Sequence, residues 1–243
     1  MSPTHGTTGL VADTITFSNV DGPGNRFVVF LQGCNFDCVA CHNPQTIPRV
    51  NGEHFHRSVD ELLLRIRTAA PFLSGITVSG GEATLQPEFL LELFGAVKAD
   101  PDLRRLTCFV DSNGACDRAT WDRLAPLTDG AMIDLKCLDP AIHRQMTGES
   151  NLPVLDSIDH LQRLRRLYEV RLLILKGVND DPALLRTTGK WLATIDPSMR
   201  VKMIGFRAHG ARPHDPPLVA PTRDELEAAA DHLQTAQLDL CLV

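Results

Sequence analysis

Three cysteines fall within eight residues, Cys34-Asn35-Phe36-Asp37-Cys38-Val39-Ala40-Cys41, in a C-x3-C-x2-C spacing. Thiolates this close along one loop can wrap a single metal centre, and soft sulfur ligands suit zinc or an iron–sulfur cluster. A [4Fe–4S] cluster ligated wholly by protein takes four cysteines, and no fourth lies nearby in the sequence. Three thiolates leave one iron open. An open position is what a catalytic centre needs and a structural one avoids, by the logic that separates the two kinds of zinc site. The alternative is a Cys3His zinc knot that recruits His42, although a ligand directly after Cys41 is sterically awkward on the same ion.

A second candidate is Ser79-Gly80-Gly81-Glu82. Two glycines after an apolar run let a ligand approach the backbone closely, and the carboxylate can accept from an ammonium group. Alone the pattern also fits an ordinary turn. Other apolar runs end in polar groups too: Asp111-Ser112-Asn113-Gly114, Asp134-Leu135-Lys136, Lys176-Gly177 and Arg207-Ala208-His209. Chemistry gathers at the C-terminal ends of parallel strands, so these groups are expected on one rim.

The elements that must position them follow from periodicity. Short β-branched or apolar runs at 27–31, 76–78, 106–110, 131–135, 170–175 and 201–204 read as strands, with 238–243 as a terminal addition. Ser58 with Glu61, and Thr222 with Glu225, form capping-box patterns, and Pro87, Pro140 and Pro182 sit where first helical turns begin. Strands alternating with helices predict an α/β fold with parallel pairing and right-handed crossovers. Six strands are too few for a closed eight-fold barrel, so a partial, TIM-like (β/α)6 barrel or an open sheet is expected. No Pro/Ser-rich linker divides the chain, which reads as one domain over 1–243 with 1–14 as an N-terminal extension.

Composition narrows the class. The chain has 243 residues, 43% hydrophobic and 22% charged, enough to bury roughly 70–75% of its unfolded surface without a staple. A net charge of −6 argues against a non-specific nucleic-acid binder. No stretch approaches the ~18–20 apolar residues of a membrane span, and the polar start lacks a secretory pattern. The expected compartment is the cytoplasm, where the seven cysteines stay reduced and form no disulfide framework. Cys108 reads as a buried strand thiol, Cys116, Cys137 and Cys241 lack ligand spacing, and His54 and His56 read as a surface loop.

Taken together, the C-x3-C-x2-C loop and the following Gly-Gly-Glu resemble the radical S-adenosylmethionine (SAM) superfamily. Asp21-Gly22-Pro23-Gly24-Asn25-Arg26, Cys41-His42-Asn43-Pro44, Asp111-Ser112-Asn113-Gly114 and Asp134-Leu135-Lys136 extend the likeness to the glycyl-radical-enzyme activating enzymes, the pyruvate formate-lyase activase group. The stretches ITVSGGEATLQPEF, LTCFVDSNG and DGAMIDLK are most similar to its YjjW-type members. The likeness runs from about Ile15 onward and is weakest after Gly177.

The resemblance implies a partial barrel in which Cys34, Cys38 and Cys41 hold a [4Fe–4S] cluster with SAM at the open iron. It implies that Gly80, Gly81 and Glu82 bind the methionine ammonium. Ala40 and His42 match positions that touch SAM. Asp134, Leu135 and Lys136 match ribose and carboxylate contacts, and His209 a histidine near the ribose. Lys136 joins the three cysteines as a catalytic candidate. Asp21 would accept backbone N–H groups from the glycine loop of a partner glycyl-radical enzyme. Asp111, Ser112, Met132 and Asp134 match the positions that hold a monovalent cation, and a polar strand-end cluster explains them equally well.

One departure matters. YjjW-type relatives carry a cysteine-rich, two-cluster ferredoxin-like insert after the CHNP segment, whereas Gln45 to Arg57 here has no cysteine. The electron would then come from a docking flavodoxin or ferredoxin. Two rival readings remain: a radical SAM enzyme acting on a small molecule, in the manner of a deazaguanine synthase, and a non-enzymatic zinc or iron–sulfur module.

Overall fold

The computed structural model describes residues 6–49, 55–234 and 237–243. Among them the chain forms two compact units. The first comprises Met1–Asn35, Gln45–Ser112 and Cys116–Met132, and the second Phe36–Pro44, Asn113–Ala115 and Ile133–Val243. His54, expected in a surface loop, lies outside the described residues.

In the first unit five strands run β3-β1-β2-β4-β5: β1 (Thr8–Ser18), β2 (Arg26–Leu31), β3 (Phe55–Ser58), β4 (Gly75–Gly80) and β5 (Thr107–Ser112). β2, β4 and β5 are parallel, with Arg26 opposite Gly75 and Gly75 opposite Thr107. Their near-continuous apolar runs fit strands covered on both faces. β1 pairs antiparallel with both β2 and β3. Helices α1 (Val59–Ala69), α2 (Pro87–Ala99) and α3 (Arg118–Leu124) complete the unit. The capping box of Ser58 and Glu61 opens α1, Pro87 opens α2, and Asp117 caps α3 by accepting from the Thr120 amide. Phe27, Val29, Ile66, Ile76, Leu90 and Leu93 are fully or almost fully buried and form part of the core.

Strand β6 (Gly130–Asp134) carries the chain from the first unit into the second. There α4 (Pro140–Thr147), α5 (Leu152–Arg163), α6 (Pro182–Ile195) and α7 (Arg223–Leu233) alternate with β7 (Leu167–Ile174), β8 (Arg200–Gly205) and β9 (Asp239–Leu242). The three strands are parallel in the order β7-β8-β9. Asp139 and Asp181 each cap a helix that begins with proline, and Thr222 with Glu225 closes the second capping box. One buried cluster joins Ala40, Cys137, Met146, Leu175 and Phe206.

The six core strands and the terminal strand stand within a few residues of their sequence expectations. The expected N-terminal extension differs: residues 8–14 belong to β1. Two register shifts against β2 turn Ile15 and Phe17 outward, 40% and 51% exposed, so of the apolar side chains of β1 only Val11 is buried, unlike the runs of β2 and β4. Strand β3 has only four residues, and α3 also had no counterpart in the sequence reading.

Candidate functional site

In the first unit the Gly-Gly-Glu segment leaves the end of β4 and lies against the backbone that leads into Cys34. The Gly81 amide donates to Leu31 O at 2.9 Å, and the Glu82 amide to Gly33 O at 2.8 Å. On the other side Gly33 N donates to Thr46 O and Cys34 N to Ile47 O. Close approach makes glycine obligatory here. A Cβ on Gly81 would stand 2.2 Å from Gly33 O, and Gly80 adds a φ of +117°.

Glu82 is 1% exposed. Its Oε1 accepts from Thr84 N at 2.8 Å, Thr84 Oγ1 at 2.6 Å and Ser112 Oγ at 2.7 Å. Burial is the main cause, with the Glu82 carboxylate adding to it, that pushes the Cys116 thiol up and keeps it protonated. Asp111 accepts from Ser79 Oγ at 3.0 Å. Two of the expected cation ligands thus make hydrogen bonds within this unit, and Met132 is buried at its end.

Asp21 stands apart from these groups. Its backbone carbonyl accepts from Thr77 Oγ1 at 2.7 Å and its carboxylate from Ser18 Oγ. Arg26, fully buried, donates to Pro23 O, Thr77 Oγ1, Ile76 O and the carbonyl and hydroxyl of Thr107, with its guanidinium 4.3 Å from the Phe109 ring centre. The loop is therefore anchored at Thr77, five residues before Glu82, or ~16 Å of extended chain.

In the second unit the rest of the cysteine loop has a framework on two sides. Asp37 N and Val39 N donate to Thr147 O and Met146 O at the C-terminal end of α4, each at 2.9 Å. Arg212 takes the other side: its amide donates to Cys41 O at 3.0 Å, and its Nη1 to Asp37 Oδ1 at 2.5 Å and Cys38 O at 3.3 Å. Phe36 packs edge-on against the buried His143 ring, centroids 5.6 Å apart. His42 Nε2 lies 2.8 Å from Arg207 O, with its ring 5.8 Å from that of Phe206. His209, two residues on, is exposed.

Asp134 and Lys136 form an ion pair at 2.6 Å, and the intervening Leu135 donates its amide to Arg171 O. Burial is the largest influence on the Cys38 thiol and pushes it up, while the Lys136 ammonium draws it down. Ala40 belongs to the buried cluster beneath the loop. Sequence reasoning missed Arg212, Thr84 and His143. Only an arginine far along the chain that folds back, or a buried histidine on an amphipathic helix, could have signalled them, and neither has a motif.

Cys34, Cys38 and Cys41 are all free of disulfides and partly buried. Three soft thiols on one short loop are a donor set that fits an iron–sulfur group. Among the described residues no group of three or more His, Cys, Asp or Glu side chains is gathered for a single metal ion.

The family model of the radical SAM superfamily matches residues 28–186. The chain is 33% identical over 212 residues to the pyruvate formate-lyase-activating enzyme of Streptococcus mutans, covering 84% of this chain and 79% of that one. It is 33% identical over 219 residues to a putative glycyl-radical enzyme activating enzyme of Haemophilus influenzae, covering 82% of each. Among solved structures, QueE from Escherichia coli superposes with a TM-score of 0.63 at 13% identity, covering 97% of this chain and 94% of that one. That likeness shows the fold, an α/β arrangement with parallel strands of the partial-barrel type.

Proposed function

Since the chain belongs to the radical SAM superfamily and, within it, to the glycyl-radical-enzyme activating enzymes, we propose that it installs a glycyl radical on a partner enzyme. When bound and reduced, a [4Fe–4S] cluster would supply one electron for the reductive cleavage of SAM, the chemistry by which a Cα hydrogen is removed from one glycine. Glycine suits that step because no side chain blocks approach and its radical is delocalised over two amides.

The chain's own residues bind and orient. Cys34, Cys38 and Cys41 would hold the cluster. Gly80 and Gly81 offer backbone, and Glu82 a carboxylate, to the methionine ammonium. Asp134, Lys136 and His209 would meet the carboxylate and ribose of SAM, with Ala40, Leu135 and His42 beside them. Asp21 would receive the partner's glycine loop. The observation that carries this reading is the hydrogen bond from Glu82 N to Gly33 O, which sets the ammonium acceptor against the residue that precedes Cys34.

Finer points belong to the same proposal. The stretches around Gly80, Asp111 and Asp134 support a YjjW-type activase without the ferredoxin-like insert, served by a flavodoxin or ferredoxin. No helix among the described residues is long and apolar enough to cross a membrane. Anaerobic reconstitution is expected to load about four irons per chain. Dithionite and SAM should then yield 5′-deoxyadenosine carrying deuterium from a Cα-labelled glycine peptide. A preparation with one zinc and no deoxyadenosine would overturn the proposal, and deoxyadenosine formation without glycine labelling would favour a small-molecule substrate.

A further inference from the structure

The Glu82 carboxylate is buried, and a charge withdrawn from water must be compensated by directed hydrogen bonds. Here three donors converge on one oxygen. Thr84 supplies its amide and hydroxyl from the turn that Glu82 itself caps, at 2.8 and 2.6 Å. Ser112 supplies its hydroxyl from the end of β5, at 2.7 Å. The parallel register sets the last donor: Val78 stands opposite Val110, so continuing the ladder two residues brings Ser112 alongside Gly80 and its hydroxyl within reach of Glu82.

Bonds to an ionised acceptor are short and directional. Donors from two separate elements leave the carboxylate little freedom to rotate, and a carboxylate that must meet a ligand's ammonium gains from such fixing in advance. We infer that Ser112 and Thr84 are positioning residues, holding Glu82 in the orientation that receives the α-ammonium of SAM. The inference rests on the reading of Glu82 as the ammonium acceptor. It also assigns the Ser112 hydroxyl to the carboxylate, where resemblance alone offered it to a monovalent cation.

The test uses the reconstituted full chain, with the SAM dissociation constant measured by equilibrium dialysis and kcat and KM for SAM cleavage measured alongside. Ser112→Ala and Thr84→Val should each weaken SAM binding and raise KM about tenfold, or 1.4 kcal/mol, with kcat changed far less. Ser112→Thr and Thr84→Ser, which keep the hydroxyl, should restore most of the affinity. The Ser112→Ala defect should persist at saturating potassium or sodium. Iron content and melting temperature show that each variant is loaded and folded. If Ser112→Ala does not fold, the Thr84→Val and Thr84→Ser pair decides.

Normal SAM affinity in both hydroxyl-less variants, alongside weakened binding in Glu82→Gln, would overturn the inference and leave the role of Glu82 standing. Rescue of Ser112→Ala by added cation would overturn it in favour of a cation site. Unchanged affinity in Glu82→Gln would instead remove the reading on which it rests.

Discussion

Arg212 donates through Nη1 to Asp37 Oδ1 at 2.5 Å, 175 residues away in sequence, and the same arginine reaches the carbonyls of Cys38 and Cys41 through its side chain and its amide. Asp37 and Val39 thus turn their N–H groups to the end of α4, while the carbonyls of Cys38 and Cys41 meet the segment after β8. Asp37 is 70% exposed, so as an ion pair the contact is worth less than about 1 kcal/mol. Its value lies in loop order. Arg212→Ala should lower the melting temperature by no more than about 2–4 °C. It should also reduce iron and sulfide retained after anaerobic desalting. Full cluster retention in that variant would contradict this role.

The cysteines divide by environment. Replacing Cys34, Cys38 or Cys41 with alanine is expected to abolish deoxyadenosine formation and the iron–sulfur absorbance together. Cys108 is fully buried in β5, where burial pushes its thiol up to about 12. It is a packing residue, and Cys108→Ala should cost about 1 kcal/mol in urea unfolding while leaving SAM cleavage intact. Lost cleavage in well-folded Cys108→Ala would show a role in the chemistry.

His143 should give stability a distinct acid dependence. Its ring is fully buried, neither nitrogen has a hydrogen-bond partner, and burial pushes it down to about 4. The unfolded chain takes up this proton near pH 6.5, the folded chain only near 4. Its contribution is therefore full above pH 6.5 and is lost as pH falls toward 4, about 3 kcal/mol in all. Urea midpoints of wild type and His143→Leu, compared at several pH values, should show the variant losing less stability over this window. Parallel curves would mean that the imidazole titrates normally in the folded protein.

Two glycines offer a steric contrast. A Cβ on Gly81 would meet Gly33 O at 2.2 Å and Thr46 O at 2.8 Å, both backbone atoms that cannot swing aside. Gly81→Ala should destabilise by about 1–3 kcal/mol and displace the Glu82 strand end, with loss of SAM binding by dialysis. Gly148 ends α4 with φ +84° and open space around its Cβ position. Gly148→Ala should therefore cost only the left-handed backbone penalty of about 1–2 kcal/mol and keep SAM binding. Equal binding by the two variants would show that the close approach at Gly81 is dispensable.

Local patterns were legible in the sequence. Cysteine spacing, the Gly-Gly-Glu turn, both capping boxes and the prolines that open three helices depend on a few neighbouring residues, and each such pattern has few ways to be satisfied. The parallel strands were legible because burial on both faces demands continuous apolar runs. β1 was not, since its register shifts against β2 turn Ile15 and Phe17 to solvent, and such shifts exist only once the partner strand is in place. The framework of the site lay equally beyond reach. Ser112 meets Glu82 because parallel pairing aligns two strand ends, and Arg212 meets the cysteine loop because the chain returns to it after β8. Such contacts arise from long-range register and packing, which leave no mark on the spacing of residues along the chain.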